Sequence, residues 1–238
     1  MCQPLHRRSH RFSQLPVPLS TRSTHPQNLQ SIWESVGRVD GYTNTQGLEG
    51  TREAVIDKFA VTSFGTNRED VFLCGGGSLA IWATVNLLAN QGDNFLFPSP
   101  GFPLALTIAK VMGLHPRFYH LQAGDKWSAS LEEMEGLIDG RTRFILVNDP
   151  SNPLGAAWSA EHKREILQLS KKHHLPILAD EIYEGMTYAE RVPTFAELVE
   201  PQDAEEITIF KCSGLTKRYL APGWRMGWII LYASQKLR

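Results

Sequence analysis

Cysteine is scarce in this chain. Three residues in 238, Cys2, Cys74 and Cys212, are too scattered for zinc spacing or for an even-numbered disulfide framework. That points to a reducing compartment, cytoplasmic in the first place and mitochondrial as the alternative. Net charge is nearly absent too. A value of −1 at neutral pH gives no electrostatic reason for a nucleic-acid partner. No stretch approaches the ~20 uncharged apolar residues of a transmembrane helix, so no membrane partner is expected. No His/Asp/Glu grouping has metal-ligand spacing, and no GxSxG elbow occurs.

Acidic residues are missing from one end. Residues 1–33 hold Arg7, Arg8, Arg11 and Arg22 with no Asp or Glu, a local charge of +4. An Arg-rich, Ser-rich, acid-poor composition is that of an organelle transit peptide. It is equally that of an ordinary tail. The prolines oppose the amphipathic helix a mitochondrial signal needs. We expect residues 1–39 to form a divergent, poorly ordered segment ahead of a folded region from 40 to 238.

The apolar share of 42% is enough for a core. Apolar texture alternates along it. Helical spacing marks LEGTREAVIDKFAVTSFG (48–65), SLAIWATVNLLANQG (78–92), FPLALTIAKVMG (102–113), ASLEEMEGLIDG (129–140) and SAEHKREILQLSKKHH (159–174). Ser78 is the expected N-cap of the second helix and Gly92 its stop. Short apolar runs lie between: VFLC, NFLFPS, RFYHL, RFILVN, PILAD, ITIFKCS and WIILY. The order predicts a three-layer α/β/α fold with a mostly parallel sheet. Near-continuous apolar strands are those of a sheet covered on both faces. Chemistry in such sheets gathers at the carboxyl ends of strands.

Five clusters sit at such ends. GGGS (75–78) lies between a strand and a helix, where glycines and a helix N-terminus together favour an anion; glycine turns there are also common without one. NDPSNPLG (148–155) carries two X–Pro steps, predicting an extended, rigid loop that orients Asn152, or a plain turn. ADEIY (179–183) ends an apolar strand with two carboxylates. Alternation turns Asp180 and Glu181 opposite ways, one into a site and one toward helices or solvent. A buried carboxylate needs a cation, and a protonated ring nitrogen is one; a surface acid or helix cap is the plainer reading. Phe102 is either a core aromatic or a stacking surface. Lys217, in SGLTKRYLAPGWRMGW (213–228), is either a solvated lysine or a buried, reactive amine. The six tryptophans read as packing residues, and His173 and His174 as solvated.

The order of these clusters is sharper than any one of them. It resembles the fold-type I pyridoxal-phosphate aminotransferases of class I and II, over roughly residues 40–238. KRYLAPGWR with VNDPSNPLG is most similar to their tyrosine aminotransferase branch. The resemblance implies that Lys217 bonds pyridoxal 5′-phosphate and then serves as general base. It implies that Asp180 pairs with the pyridine nitrogen, that Asn152 and Tyr183 hold the ring's phenolic oxygen, and that Phe102 stacks on the ring. Gly75, Gly76 and Gly77 would cradle the phosphate and Arg225 would grip it by a forked contact. Tyr42 would reach the phosphate of a neighbouring subunit, which implies a homodimer.

Two departures stand out. Gly214 occupies the place of a phosphate-binding serine in many relatives, and the glycine turn lacks their hydroxyl; weaker cofactor binding is expected. Relatives also continue far past the equivalent of Trp228, into a small domain carrying the arginine for the substrate carboxylate. The chain therefore resembles the large domain with the small C-terminal domain missing. Transamination from an aromatic amino acid to a 2-oxo acid is the leading expectation. A truncated, non-catalytic cofactor-binding protein or dimer partner is one alternative, and a pyridoxal-phosphate-dependent C–S lyase another.

Overall fold

A computed structural model describes residues 42–61, 64–188 and 191–234. The expectations for residues 1–39, including Cys2 and Trp33, lie outside the described residues. The chain divides between Thr43 and Asn44, and the sheet lies in the second unit.

That unit alternates strands and helices. The strands are β1 (Val71–Cys74), β2 (Asn94–Ser99), β3 (His115–Gln122), β4 (Ser128–Ala129), β5 (Thr142–Asn148), β6 (Ile177–Asp180), β7 (Ile209–Gly214) and β8 (Gly227–Tyr232). The helices are α1 (Glu49–Phe59), α2 (Gly77–Leu88), α3 (Leu104–Met112), α4 (Leu131–Gly136) and α5 (Ala160–His173). The strands form one sheet in the order β1-β8-β7-β6-β5-β2-β3-β4. Pairings from β3 through β2, β5 and β6 to β7 are parallel. Strand β8 runs antiparallel between β7 and β1, and β4 antiparallel to β3. Six of the eight strands thus run one way, as the alternating pattern predicts.

Successive strand residues feed two separate cores. Leu96, Ile145, Ile177, Ile209 and Trp228 point to one face, against Val55 of α1, Met134 of α4 and Ile166 of α5. Their neighbours Phe95, Phe144, Leu178, Phe210 and Ile229 point to the other, against Val85 of α2 and Ile108 of α3. This is why the strands read as unbroken apolar runs: both faces are covered. Among the described residues, no helix is long and apolar enough to cross a membrane.

Helix ends differ from expectation. Helix α2 starts one residue before Ser78, with Gly76 at its N-cap and φ 95°. Ser78 is therefore not the cap. Gly92 stands beyond the helix end, in a turn with φ 85°. Helix α3 starts at Leu104, after Pro103 at its N-cap. Ser159 does cap α5, accepting from the His162 N–H at 3.2 Å. The 149–155 loop is a compact turn instead of an extended arm, closed by Ser151 N–H to Ala156 O and Gly155 N–H to Ser151 O. The tryptophans divide: Trp158 and Trp228 are buried, while Trp82 and Trp224 are exposed. His173 is half-buried and pairs with Glu135 at 2.7 Å.

Phe144 stacks on Phe95 with ring centroids 4.7 Å apart, and both are fully buried. Phe144→Ala should cost about 3–5 kcal/mol of stability, from lost transfer energy and the cavity left behind. Denaturant unfolding of the variant against the parent chain measures it.

Candidate active site

The carboxyl ends of β5, β6 and β7 open onto one cavity of about 200 Å³. Strand β6 ends on Asp180, a residue 7% exposed. One of its oxygens accepts from the Ile182 N–H at 3.3 Å. Burial pushes its pKa up to about 6, opposed by that hydrogen bond and by the charge of Lys217. A desolvated carboxylate with so little neutralisation is a place prepared for a cation. Lys217 lines the same cavity, with its Nζ 5.3 Å from the centroid of the Tyr183 ring. The lysine is half-buried, not fully buried as the reactive-amine reading supposes, because the cavity above it is open to solvent.

Opposite lies a turn without side chains. Strand β8 crosses the start of α2 so closely that a Cβ on Gly227 would stand 2.4 Å from the Gly76 carbonyl carbon. A Cβ on Gly76 would stand 2.4 Å from Arg225 Nη2. Only glycine permits this approach. Arg225 donates to Gly75 O at 3.1 Å and Pro222 O at 3.2 Å, and its guanidinium lines the cavity. Gly77 lines the cavity as well, whereas Gly75 and Gly76 seat Arg225. The first bonds of α2 run from Leu79 and Ala80 N–H to Gly76 O, so the Gly77 and Ser78 N–H groups precede them. A helix start beside a guanidinium favours an anion.

Two hydroxyls complete this end. Ser78 and Thr216 both line the cavity. Ser213, one residue before Gly214, is buried outside this lining and donates to Glu181 O at 3.3 Å. Gly214 can carry no side chain, since a Cβ there would stand 2.7 Å from Met226 O. Hydroxyls therefore line this end of the cavity although Gly214 carries none.

Phe102, 42% exposed, turns a ring to the cavity and is not a core residue. Asn152 and Tyr183 line it too. Asn148, not among the expected site residues, ties Asn152 to the end of β6. Its amide donates to Asp180 O at 3.1 Å and accepts from the Asn152 N–H at 2.8 Å. A polar residue closing the apolar run RFILV is the available signal. Tyr42 falls in the other unit, with its side chain exposed.

Buried acid, amine, open ring face and anion cradle fit a phosphorylated, ring-bearing cofactor with a basic nitrogen. The comparisons agree. The family model for aminotransferase class I and II matches residues 16–237. The chain belongs to the class I and II aminotransferases. Members of this family are pyridoxal-phosphate-dependent. The chain is similar to the tyrosine aminotransferase of Bos taurus, 36% identical over 220 residues, covering 91% of this chain and 48% of that one. It is similar to that of Dictyostelium discoideum, 36% identical over 82% of this chain and 46% of that one. Among solved structures, an Escherichia coli aminotransferase superposes with TM-score 0.78 at 28% identity, over 89% of this chain and 50% of that one. Leishmania infantum tyrosine aminotransferase gives 0.77 at 27% identity, over 87% and 56%. The chain spans about half the length of the curated relatives it matches.

The raised pKa of Asp180 has a measurable sign. Folding must hold this carboxyl desolvated, so its proton is bound more tightly in the folded chain than in the unfolded one. The penalty is absent below about pH 4, where an unfolded aspartate is protonated, and grows as pH rises through 6. Asp180→Asn should therefore stabilise the cofactor-free chain by about 1–3 kcal/mol at pH 7 and by nothing at pH 4. Thermal melts at the two pH values read this directly.

Proposed function

We propose that this chain binds pyridoxal 5′-phosphate in the cavity and uses Lys217 to carry an amino group from an aromatic L-amino acid to a 2-oxo acid. The observation that carries the reading is the meeting of Lys217 and the buried Asp180 in one cavity, with an anion cradle at its other end. When bound, the cofactor supplies an electron sink for the carbanion left at the substrate's α-carbon.

The chain's own residues divide the work. Arg225, Gly77, Ser78 and Thr216 take the phosphate by charge and hydrogen bonds. Asp180 holds a proton on the ring nitrogen, which cancels its own desolvation penalty. Phe102 offers its exposed face for stacking. Asn152, tied to β6 through Asn148, and Tyr183 hydrogen-bond the ring's phenolic oxygen. Lys217 Nζ would bond the cofactor's aldehyde carbon with loss of water and, once displaced by the substrate's amine, would take the α-proton and return it to the cofactor carbon it had left.

The tyrosine aminotransferase relatives support an aromatic amino donor, and lend no support to elimination or to a non-catalytic role. A homodimer is the family's usual assembly. Exposed Leu79, Trp82 and Leu87 along α2 support such a contact here. Cys74 and Cys212, both free thiols, suit a reducing compartment, cytoplasmic or mitochondrial.

Borohydride reduction of the chain with pyridoxal phosphate, followed by peptide mass spectrometry, should place the adduct on Lys217. Lys217→Ala should abolish it and lower tyrosine-dependent amino transfer about 10²–10⁴-fold. An adduct elsewhere, or unchanged transfer in the variant, overturns the proposal.

A further inference from the structure

Behind the cavity lies a second charged cluster that the proposed reaction does not use. Two lysines there are buried to 1% exposure. Lys163 of α5 pairs with Asp149 at 2.5 Å and donates to Pro193 O at 2.7 Å. Lys211, in the interior of β7, pairs with Glu184 at 2.9 Å and donates to Phe59 O at 3.1 Å. Glu181 stands between the two, 3.9 Å from Lys211 Nζ, with its other oxygen accepting from the Phe195 N–H at 2.9 Å. Alternation along β6 puts this cluster on the face opposite Asp180.

A fully buried lysine inside a strand is costly, since desolvation takes several kcal/mol per ion. An apolar residue would fill the position without that penalty. Packing alone does not account for lysine there, so its contacts have to explain it. Phe59 O is a terminal carbonyl of α1, with no intrahelical donor and with the negative end of the helix dipole behind it. Glu184 is the residue after Tyr183. Lys211 Nζ thus joins the end of one helix to the turn that carries a cavity side chain. The first residue of that turn is also tied down, by Glu181 N–H to Cys212 O at 3.0 Å, the Ser213 hydroxyl to Glu181 O and the Phe195 N–H to the Glu181 carboxylate, whereas residues 183–186 have Glu184 N–H to Glu181 O and Met186 N–H to Tyr183 O, both 3.0 Å. Lys163 stands in the same relation to the other loop: its partner Asp149 lies three residues before Asn152, and also accepts from the Trp158 N–H at 2.8 Å.

We propose that Lys211 is a positioning residue for Tyr183, pinning the 181–185 turn to the end of α1 through Glu184 and so fixing the phenol ring beside Lys217 Nζ. Its consequence for cofactor binding rests on the proposed function; the anchoring does not.

The test uses the whole chain carrying Lys211→Met and Glu184→Gln together. The pair removes one charge of each sign, so the cluster's net charge is unchanged, and Glu181, which loses Lys211, keeps Lys163 as its cation. Hydrogen–deuterium exchange read by mass spectrometry should show residues 181–186 exchanging about tenfold faster, with β5 unchanged. Pyridoxal phosphate affinity, read by tryptophan fluorescence, should weaken about tenfold. If the double variant does not fold, Glu184→Gln alone keeps an acceptor for Lys211 and should raise exchange of the turn about threefold. Parental protection of residues 181–186, or a uniform rise across all strands, overturns the proposal. Parental cofactor affinity alongside a loosened turn overturns its link to Tyr183. A parent chain that binds no cofactor defeats the proposed function instead, and the exchange comparison still decides the anchor.

Discussion

The site depends on one carboxylate placed where little water reaches it. Asp180 ends a strand whose residues are all buried, so its charge has to be met by something that enters the cavity or by Lys217 beside it. The other features of the site make that position useful. The parallel strands bring Asn148 and Asp180 into register as partners, and the Asn148 amide then fixes Asn152. The lysine comes from the turn after β7, the next strand over, and reaches the same space.

The sheet's two-faced character makes this arrangement possible. Residues alternate between two cores, so neighbours on one strand serve different chemistry without interfering. Asp180 faces the cavity while Glu181, the next residue, joins the buried lysines on the other side. Burial pushes Glu181 up to about 7, with Lys211 and Lys163 opposing the shift. Two adjacent carboxyls are thus held above their ordinary range by the same cause, desolvation, for separate ends.

Most of this architecture is legible in the sequence, for physical reasons. Strands buried on both faces leave unbroken apolar runs, and residues 94–99 or 142–148 could scarcely be anything else. The cluster order carries the site, since Lys217, Asp180, Asn152, Tyr183, Phe102 and Arg225 need only lie at successive strand ends to converge. Helix ends are less legible: Ser78 looks like a cap, but the contact between Gly76 and Arg225, from the far end of the chain, decides the start of α2. Ser78 in GGGS and Thr216 beside Lys217 are visible in the sequence, but which hydroxyls face the cavity is set by backbone direction, which spacing does not report. Lys163 and Lys211 are invisible to it, since a lysine in HKRE or IFKC is ordinary until its carboxylate partners, distant in sequence, fold against it.

The crossing of β8 over the glycine turn has one more consequence. Arg225 and Gly75 are 150 residues apart, and their contact exists only when the last strand has inserted between β7 and β1. A phosphate-bearing ligand held there would therefore clasp two segments that lie far apart in the sequence. Its binding would shift the balance toward the completed sheet by mass action.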